Sequence, residues 1–129
     1  MVSIKFKNLS LIYSSYGIKK IEIDRLLPGD YTRAESLEYL TNLSTEELQN
    51  SDKLGKFQVF QTSEGEVLFD GNNRARTLLD RGLTALDVDY IAIADIPAYL
   101  YEEVEKVLKR VFEMRDRGIN KIEDLALEY

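Results

Sequence analysis

The chain contains no cysteine and no histidine, and each absence removes a class of chemistry. Without cysteine there can be no disulfide, no thiolate metal site and no cysteine nucleophile. Without histidine the chain lacks the most common general base and the most common metal ligand of proteins. Any catalysis would therefore depend on carboxylate, lysine, arginine or hydroxyl side chains, and we expect no structural metal site.

Long apolar segments are also missing. No apolar run approaches the roughly 20 residues that span a bilayer, and the N-terminus lacks the apolar segment of a signal peptide. We therefore expect a cytoplasmic protein with no membrane partner. Tryptophan is absent and there are only two prolines, whereas glutamate and lysine are frequent, a composition that would suit a thermophile.

The size and composition are those of one globular domain. The chain has 129 residues, of which 44% are hydrophobic and 31% are charged, so residues 1–129 can bury a single core. A formal net charge of −6 disfavours binding to DNA. Residues 1–29 differ, since they carry five basic and two acidic residues. This basic stretch could meet DNA locally, but a solvated charged face explains it equally well.

Hydrophobic periodicity predicts one compact α+β domain. Alternating apolar residues predict strands over residues 2–6, 9–13, 21–23, 57–60, 66–69 and 88–93. The third strand leads to a stop signal at residues 26–29. Capping-box signatures predict helices that start at Thr32, answered by Glu35, and at Ser44, answered by Glu47. Further helices are predicted over residues 75–81, 99–117 and 120–127.

Residues 70–74, with the sequence Asp-Gly-Asn-Asn-Arg, form the most informative segment. They lie between an apolar run that ends at Phe69 and the helix predicted from Ala75. A strand that turns on a glycine into a helix leaves unpaired backbone N–H groups aimed at one point. These donors, the positive end of the helix dipole and Arg74 suit an anion such as phosphate. The alternative is ordinary turn chemistry, because Asp-Gly-Asn is common in turns and asparagine often caps helices.

The order of these elements resembles the ParB/sulfiredoxin family over about residues 18–93, with residues 98–129 as a C-terminal helical extension. Gly71, Arg74 and Arg76 match the G-x-x-R-x-R helix start of the ParB branch. The upstream G-x-x-Q element of that branch is matched by Gly55 and Gln58. The resemblance implies an α+β fold of the ParB/sulfiredoxin type, with a small mixed sheet and helices packed around it.

The resemblance also implies a ligand site. The residues that would contact the phosphates of a nucleotide are Gly71, Asn72, Asn73, Arg74 and Arg76, and Gln58 would contact its base or sugar. A Mg²⁺ ion could bridge the phosphates and a carboxylate such as Glu35 or Asp70. We therefore expect a domain that binds a nucleotide or another phosphorylated ligand at this corner.

Two residues depart from the family pattern. Asn72 stands where sulfiredoxins have their cysteine, so sulfiredoxin activity is excluded. Asn73 stands where many members have a histidine, and asparagine does not titrate near neutral pH. Binding is therefore favoured over catalysis.

Other functions stay open at this point. A phosphotransferase, NTPase or nuclease could use Glu35 or Asp70 as its catalytic carboxylate, although Glu35 also fits a capping box. A non-enzymatic DNA- or protein-interaction module would use the corner merely as a turn. The apolar face of the long helix is either core or a surface for a partner or a second copy, and it comprises Leu100, Val104, Val107, Leu108 and Val111. The eight tyrosines could stack on bases or could be half-buried packing residues.

Overall fold

The computed structural model describes residues 18–92 and 96–127. The strands predicted over residues 2–6 and 9–13 lie outside these ranges. The strands are β1 (Ile18–Glu22), β2 (Leu27–Pro28), β3 (Phe57–Thr62), β4 (Gly65–Asp70) and β5 (Ala85–Ile91). The α-helices are α1 (Ala34–Thr41), α2 (Thr45–Gln49), α3 (Ser51–Leu54), α4 (Asn72–Asp80) and α5 (Tyr101–Asp116). Short 3₁₀ turns cover Ile23–Arg25, Ala98–Leu100 and Ile122–Asp124.

The five strands form one mixed sheet in the order β1-β5-β3-β4-β2. The pairs β3/β5 and β2/β4 are parallel, whereas β1/β5 and β3/β4 are antiparallel. The predicted hairpin of β3 and β4 is confirmed, with its turn at residues 63–64. The expectation of an α+β domain with a small mixed sheet is therefore confirmed at this level.

Helices contribute to two apolar clusters on opposite sides of the sheet. Successive residues of a strand point to opposite faces, and on β3 Val59 belongs to one cluster while Phe60 belongs to the other. The larger cluster includes Leu40 of α1 and Leu78 of α4. The smaller cluster includes Leu100, which lies just before α5. The corner between β4 and α4 is thus anchored in the larger core.

The predicted capping box of Thr32 and Glu35 is wrong. Helix α1 begins one residue later, with Arg33 at the N-cap position and no side-chain capping bond. The Thr32 hydroxyl instead donates to the carbonyl oxygen of Ala126, 2.7 Å away. A partner 94 residues distant, invisible to a local pattern, has replaced the local interaction.

The second predicted capping box is confirmed. Ser44 Oγ accepts a hydrogen bond from the Glu47 N–H, and the Glu47 carboxylate accepts one from the Ser44 N–H. The helix then breaks at Asn50, whose side chain accepts from the first turn of α3. The Glu47 carboxylate also accepts a hydrogen bond from Lys53, and these hydrogen bonds lower its pKa from 4.5 to about 2. The segment between α1 and β3 is therefore ordered by local polar contacts.

Several predicted boundaries also need correction. The stop signal at residues 26–29 contains β2, a two-residue edge strand in which Pro28 is tolerated because an edge strand need not donate from every residue. Strand β5 begins three residues earlier than predicted, at Ala85. The helix predicted over residues 120–127 is only the 3₁₀ turn Ile122–Asp124. Its Asp124 carboxylate accepts from backbone N–H groups at residues 120 and 121, so that turn closes on itself.

The long helix buries a narrower face than its pattern predicts. Leu100 and Val111 are buried, but Val104, Val107 and Leu108 are only half-buried. Met114 completes the buried side of α5 toward its C-terminal end. Across residues 18–92 and 96–127, no helix combines the length and the apolar character needed to cross a bilayer.

Candidate functional site

The corner between β4 and α4 is shaped by Gly71. Its φ of 103° is a conformation that residues with a side chain rarely adopt. A Cβ at this position would overlap the Phe57 ring of β3. Helix α4 begins at Asn72, three residues before the predicted start, and no side chain caps its first turn. The positive end of the α4 dipole therefore has no side-chain acceptor from its N-cap residue.

Asn72 is a buried connector. It is 5% exposed, and its Oδ1 accepts from the Gly29 N–H while its Nδ2 donates to the Leu68 carbonyl oxygen. The two hydrogen bonds are 3.1 and 3.0 Å long and join the loop after β2 to β4. Asn72 thus fixes the geometry of the corner with the side chain that was predicted to contact phosphate.

Asn73 joins the beginnings of two helices. Its Oδ1 accepts from the backbone N–H of Arg33, the N-cap residue of α1, at 2.9 Å. The N-terminal ends of α1 and α4 therefore lie side by side, and both present the positive ends of their dipoles to the same region.

Arg74 is held on two sides and lacks a partner on a third. It is 7% exposed, its guanidinium carbon lies 4.0 Å from the centre of the Phe57 ring, and its Nη2 donates to the Gly55 carbonyl oxygen at 2.9 Å. Its Nη1 is buried and has no hydrogen-bond partner among the residues that the structure describes. Burial lowers the pKa of Arg74 while the charge of Asp70 opposes this, and an arginine so placed stays charged at neutral pH. An unpaired buried donor of a charged group is costly, and most such donors in proteins have a partner.

Asp70 supplies the negative charge of the corner. It is exposed at the end of β4, yet loss of solvent around it raises its pKa above the ordinary 3.8. The nearby Arg74 charge and a hydrogen bond from the Gly71 N–H act in the opposite direction. Among the ion pairs of the described residues, none joins Asp70 to Arg74. Arg74 is therefore not neutralised by direct contact with a carboxylate.

An open cleft of about 230 Å³ lies in front of these groups. One wall is the corner and the other is α1. The cleft is lined by Ser36, Tyr39, Leu40, Asp70, Gly71, Asn72, Asn73 and Arg74. Five of the predicted site residues thus line one cavity. They are the turn residues Asp70, Gly71, Asn72 and Asn73, and Arg74, which follows them.

The remaining predicted residues lie elsewhere. Arg76 donates from Nε to the Leu125 carbonyl oxygen at 2.9 Å, which ties α4 to the C-terminal turn. Gln58 is buried on β3, where it pairs in register with Asp70 on β4 and with Asp89 on β5. Glu35 is exposed in the first turn of α1. None of the three is among the residues that line the cleft.

Two contributors to the corner were not singled out from the sequence. Phe57 supports both Gly71 and Arg74, and its position inside the Gly55–Gln58 element was the available signal. Tyr39 forms part of the α1 wall and is 56% exposed. The sequence offered Tyr39 only as one of eight tyrosines that could stack on bases, and it is the packing of α1 beside α4 that makes this one part of the wall.

A second buried charge lies on β5. Asp89 is 2% exposed, and within the described part of the chain neither carboxylate oxygen has a hydrogen-bond partner. Its nearest cation is Lys56, whose Nζ lies 3.7 Å from Oδ2. Burial raises the pKa of Asp89, and the Lys56 charge opposes the rise. A smaller cavity of about 150 Å³ adjoins both residues.

Within the described ranges, no group of three acidic, histidine or cysteine residues could hold a metal ion. Asp70 is the carboxylate among the residues that line the cleft, so a Mg²⁺ ion there would need a phosphate to supply most of its oxygen ligands.

The chain matches no protein-family model, no curated protein and no solved structure.

Proposed function

We propose that this protein binds a phosphorylated small molecule, of the nucleotide type, in the cleft at the N-terminus of α4. The observation that carries the proposal is the buried Nη1 of Arg74, which lacks a partner beside a helix end that no side chain caps. A phosphate oxygen at this place would accept from the guanidinium and from first-turn N–H groups together.

The wider fold agrees with this proposal. A strand, a glycine turn and a helix with an arginine in its first turn follow one another, which is the order of elements that the resemblance to ParB/sulfiredoxin proteins implies. The structure adds a second helix, α1, whose N-terminal end lies beside that of α4. Two positive dipole ends around one cleft favour an anion more than either would alone.

Binding is proposed here rather than bond cleavage. The side chains at positions 72 and 73 are amides whose oxygens already accept backbone N–H groups of other segments. They are therefore suited to hold the corner in shape for a ligand, which is a binding role.

The test is a titration of the full chain with AMP and with ATP, each with and without Mg²⁺, followed by NMR chemical shifts. We expect shifts that concentrate at residues 70–74. Arg74→Met should weaken binding by about 10- to 100-fold, since a hydrogen bond to a charged group contributes about 1.5–3 kcal/mol. Arg74→Lys provides a second variant that keeps the charge if the methionine variant folds poorly.

Arg76→Met is the matched control, because Arg76 lies on the same helix but outside the cleft. Its affinity should stay within about twofold of the wild type. An equal loss of affinity in Arg74→Met and Arg76→Met would show that the anion binds to another side of α4. If neither nucleotide binds in a manner that depends on Arg74, the proposed function is overturned.

A further inference from the structure

The charges of the cleft walls are nearly balanced. Among the eight residues that line the cleft, Arg74 is the cation and Asp70 is the anion. The other six are uncharged side chains or glycine. Positive potential therefore comes from one arginine and two helix ends, and each helix end counts for roughly half a charge. A site of this kind can compensate about one negative charge, and it would leave most of a polyphosphate uncompensated.

Neighbouring arginines do not add to this charge. The Arg33 guanidinium lies 3.6 Å from the Asp30 carboxylate, and Arg76 is bonded to the Leu125 carbonyl oxygen. Both arginine side chains are thus held by partners that do not line the cleft. The net charge of −6 on the whole chain adds a general repulsion toward multiply charged anions.

The opposite wall of the cleft carries an aromatic ring. Tyr39 of α1 is 56% exposed, between Ser36 and Leu40, which line the same wall. An aromatic side chain left open beside an anion site offers a flat apolar surface on which a nucleobase can stack. The cleft volume of about 230 Å³ lies below the usual range for drug-sized ligands, which suits one phosphate and one ring system.

We propose that the cleft takes a singly charged phosphate diester of a nucleoside, with the phosphate at the α4 N-terminus beside Arg74 and the base stacked on Tyr39. This inference rests on the proposed anion site and narrows its ligand. A diester carries one negative charge, whereas a phosphate monoester carries nearly two at neutral pH and a triphosphate carries more.

Three probes separate the contributions of charge and ring. Cyclic AMP is a singly charged diester with a base, dimethyl phosphate is a singly charged diester without one, and ATP has a base with several charges. Titrations of the full chain at one ionic strength and neutral pH should give cyclic AMP at least about threefold tighter binding than ATP without Mg²⁺. Dimethyl phosphate should bind at least about fivefold more weakly than cyclic AMP, because it lacks the stacked ring.

Variants of Tyr39 test the stacking wall. Tyr39→Leu should weaken cyclic AMP by at least about fivefold and leave dimethyl phosphate within about twofold, while Tyr39→Phe should keep wild-type affinity. Tyr101→Leu is the matched control, since Tyr101 is 55% exposed on α5 and does not line the cleft.

The outcomes distinguish this inference from the proposed function. ATP that binds tenfold more tightly than cyclic AMP, in a manner that depends on Arg74, would overturn the diester and leave the anion site. Cyclic AMP that binds equally well to Tyr39→Leu would also overturn the inference. If none of the probes depends on Arg74, the anion site itself fails.

Discussion

Arg74 and Asp89 are two buried charges in very different surroundings. Each is more than nine-tenths buried and each has terminal atoms without a hydrogen-bond partner. Arg74 is fixed by the Phe57 ring and the Gly55 carbonyl oxygen, lines an open cleft and forms no ion pair with any carboxylate of residues 18–92 and 96–127. Asp89 has its counter-charge within the chain, because the Lys56 ammonium lies 3.7 Å away.

The difference shows that burial of a charge is not sufficient to identify a site. A buried ion with an internal counter-ion is a structural feature, whether or not its geometry is good. A buried ion that the fold orients, leaves unneutralised and places beside uncapped helix ends has unused capacity for a ligand. By this criterion the corner at Arg74 is the proposed binding site, and the pair at Asp89 is assigned to the scaffold.

The largest expected effect on stability comes from substitution of Gly71, the glycine that shapes the corner around Arg74. Gly71→Ala should lower the free energy of unfolding by about 3 kcal/mol, because an L-residue at positive φ costs about 1–2 kcal/mol and overlap with the Phe57 ring adds more. Gly82→Ala is the matched control, since φ there is 97° and a Cβ would meet nothing within 4 Å. It should cost about 1 kcal/mol in urea unfolding. Equal losses of stability in the two variants would mean that the Phe57 ring moves aside without strain.

The internal ion pair is tested by a double-mutant cycle. Lys56→Met should cost about 2 kcal/mol at neutral pH, less than for a fully buried pair because the lysine side chain is 33% exposed. In an Asp89→Asn background the same change should cost under about 0.5 kcal/mol. Urea unfolding of the four proteins measures the coupling. A cost that is the same in both backgrounds would show that Lys56 acts through packing alone.

The pH dependence of this cycle follows from the raised pKa of Asp89. Because the carboxyl binds its proton more tightly in the folded chain, stability is lost as pH rises from the unfolded value near 3.8 through the folded pKa. Asp89→Asn should therefore match or exceed the wild type in stability at neutral pH and lose that advantage in acid. An advantage that grew in acid would contradict the direction of the shift.

The sequence anticipates the corner better than its surroundings. The Asp-Gly-Asn-Asn-Arg segment predicts the strand end, the glycine turn and the arginine in the first turn because those are local properties. The partners of the corner were beyond such patterns. Asn72 bonds Gly29, 43 residues away, and Arg74 bonds Gly55, 19 residues away. Only packing of the folded chain brings these groups together.

The same limit explains what the resemblance to a family left unresolved. Gln58 and Arg76 match motif positions, yet the described contacts place Gln58 in the sheet interior and direct Arg76 to the C-terminal turn. Tyr39 matches no motif, and the packing of α1 beside α4 makes it a wall of the cleft. Motif positions indicate where a backbone runs, whereas the cleft is defined by long-range neighbours.

Replacing the guanidinium of Arg74 by the ammonium of lysine tests whether the ligand recognises the shape of the guanidinium or only its charge. Arg74→Lys should weaken nucleotide binding by about tenfold, since lysine cannot hold the Gly55 carbonyl, cover the Phe57 ring and present a further donor at once. Isothermal titration with cyclic AMP measures the change. Unaltered affinity would show that charge alone is recognised.

Removal of the carboxylate should act in the opposite direction. Asp70→Asn should strengthen anion binding by about threefold, because a negative charge next to the ligand is lost. In the wild type, affinity for cyclic AMP should rise as pH falls toward the raised pKa of Asp70, since the diester keeps its charge in that range. The Asp70→Asn variant should not show this rise in affinity at lower pH. A wild type whose affinity falls between pH 7 and pH 5 would contradict it.

The smallest expected effect concerns Glu35, the carboxylate that the family resemblance placed at the site and that a local pattern assigned to a capping box. Glu35 is exposed, forms no capping box and does not line the cleft, so Glu35→Gln should change stability by less than about 0.5 kcal/mol and nucleotide affinity by less than about twofold. Binding and unfolding measured on the same preparation test both statements. Ser36, the next residue, does line the cleft. The nucleotide affinity of a Ser36→Ala variant therefore shows whether the first turn of α1 contacts the ligand. Loss of affinity in Glu35→Gln but not in Ser36→Ala would return Glu35 to the site, with a bridging cation as the physical reason.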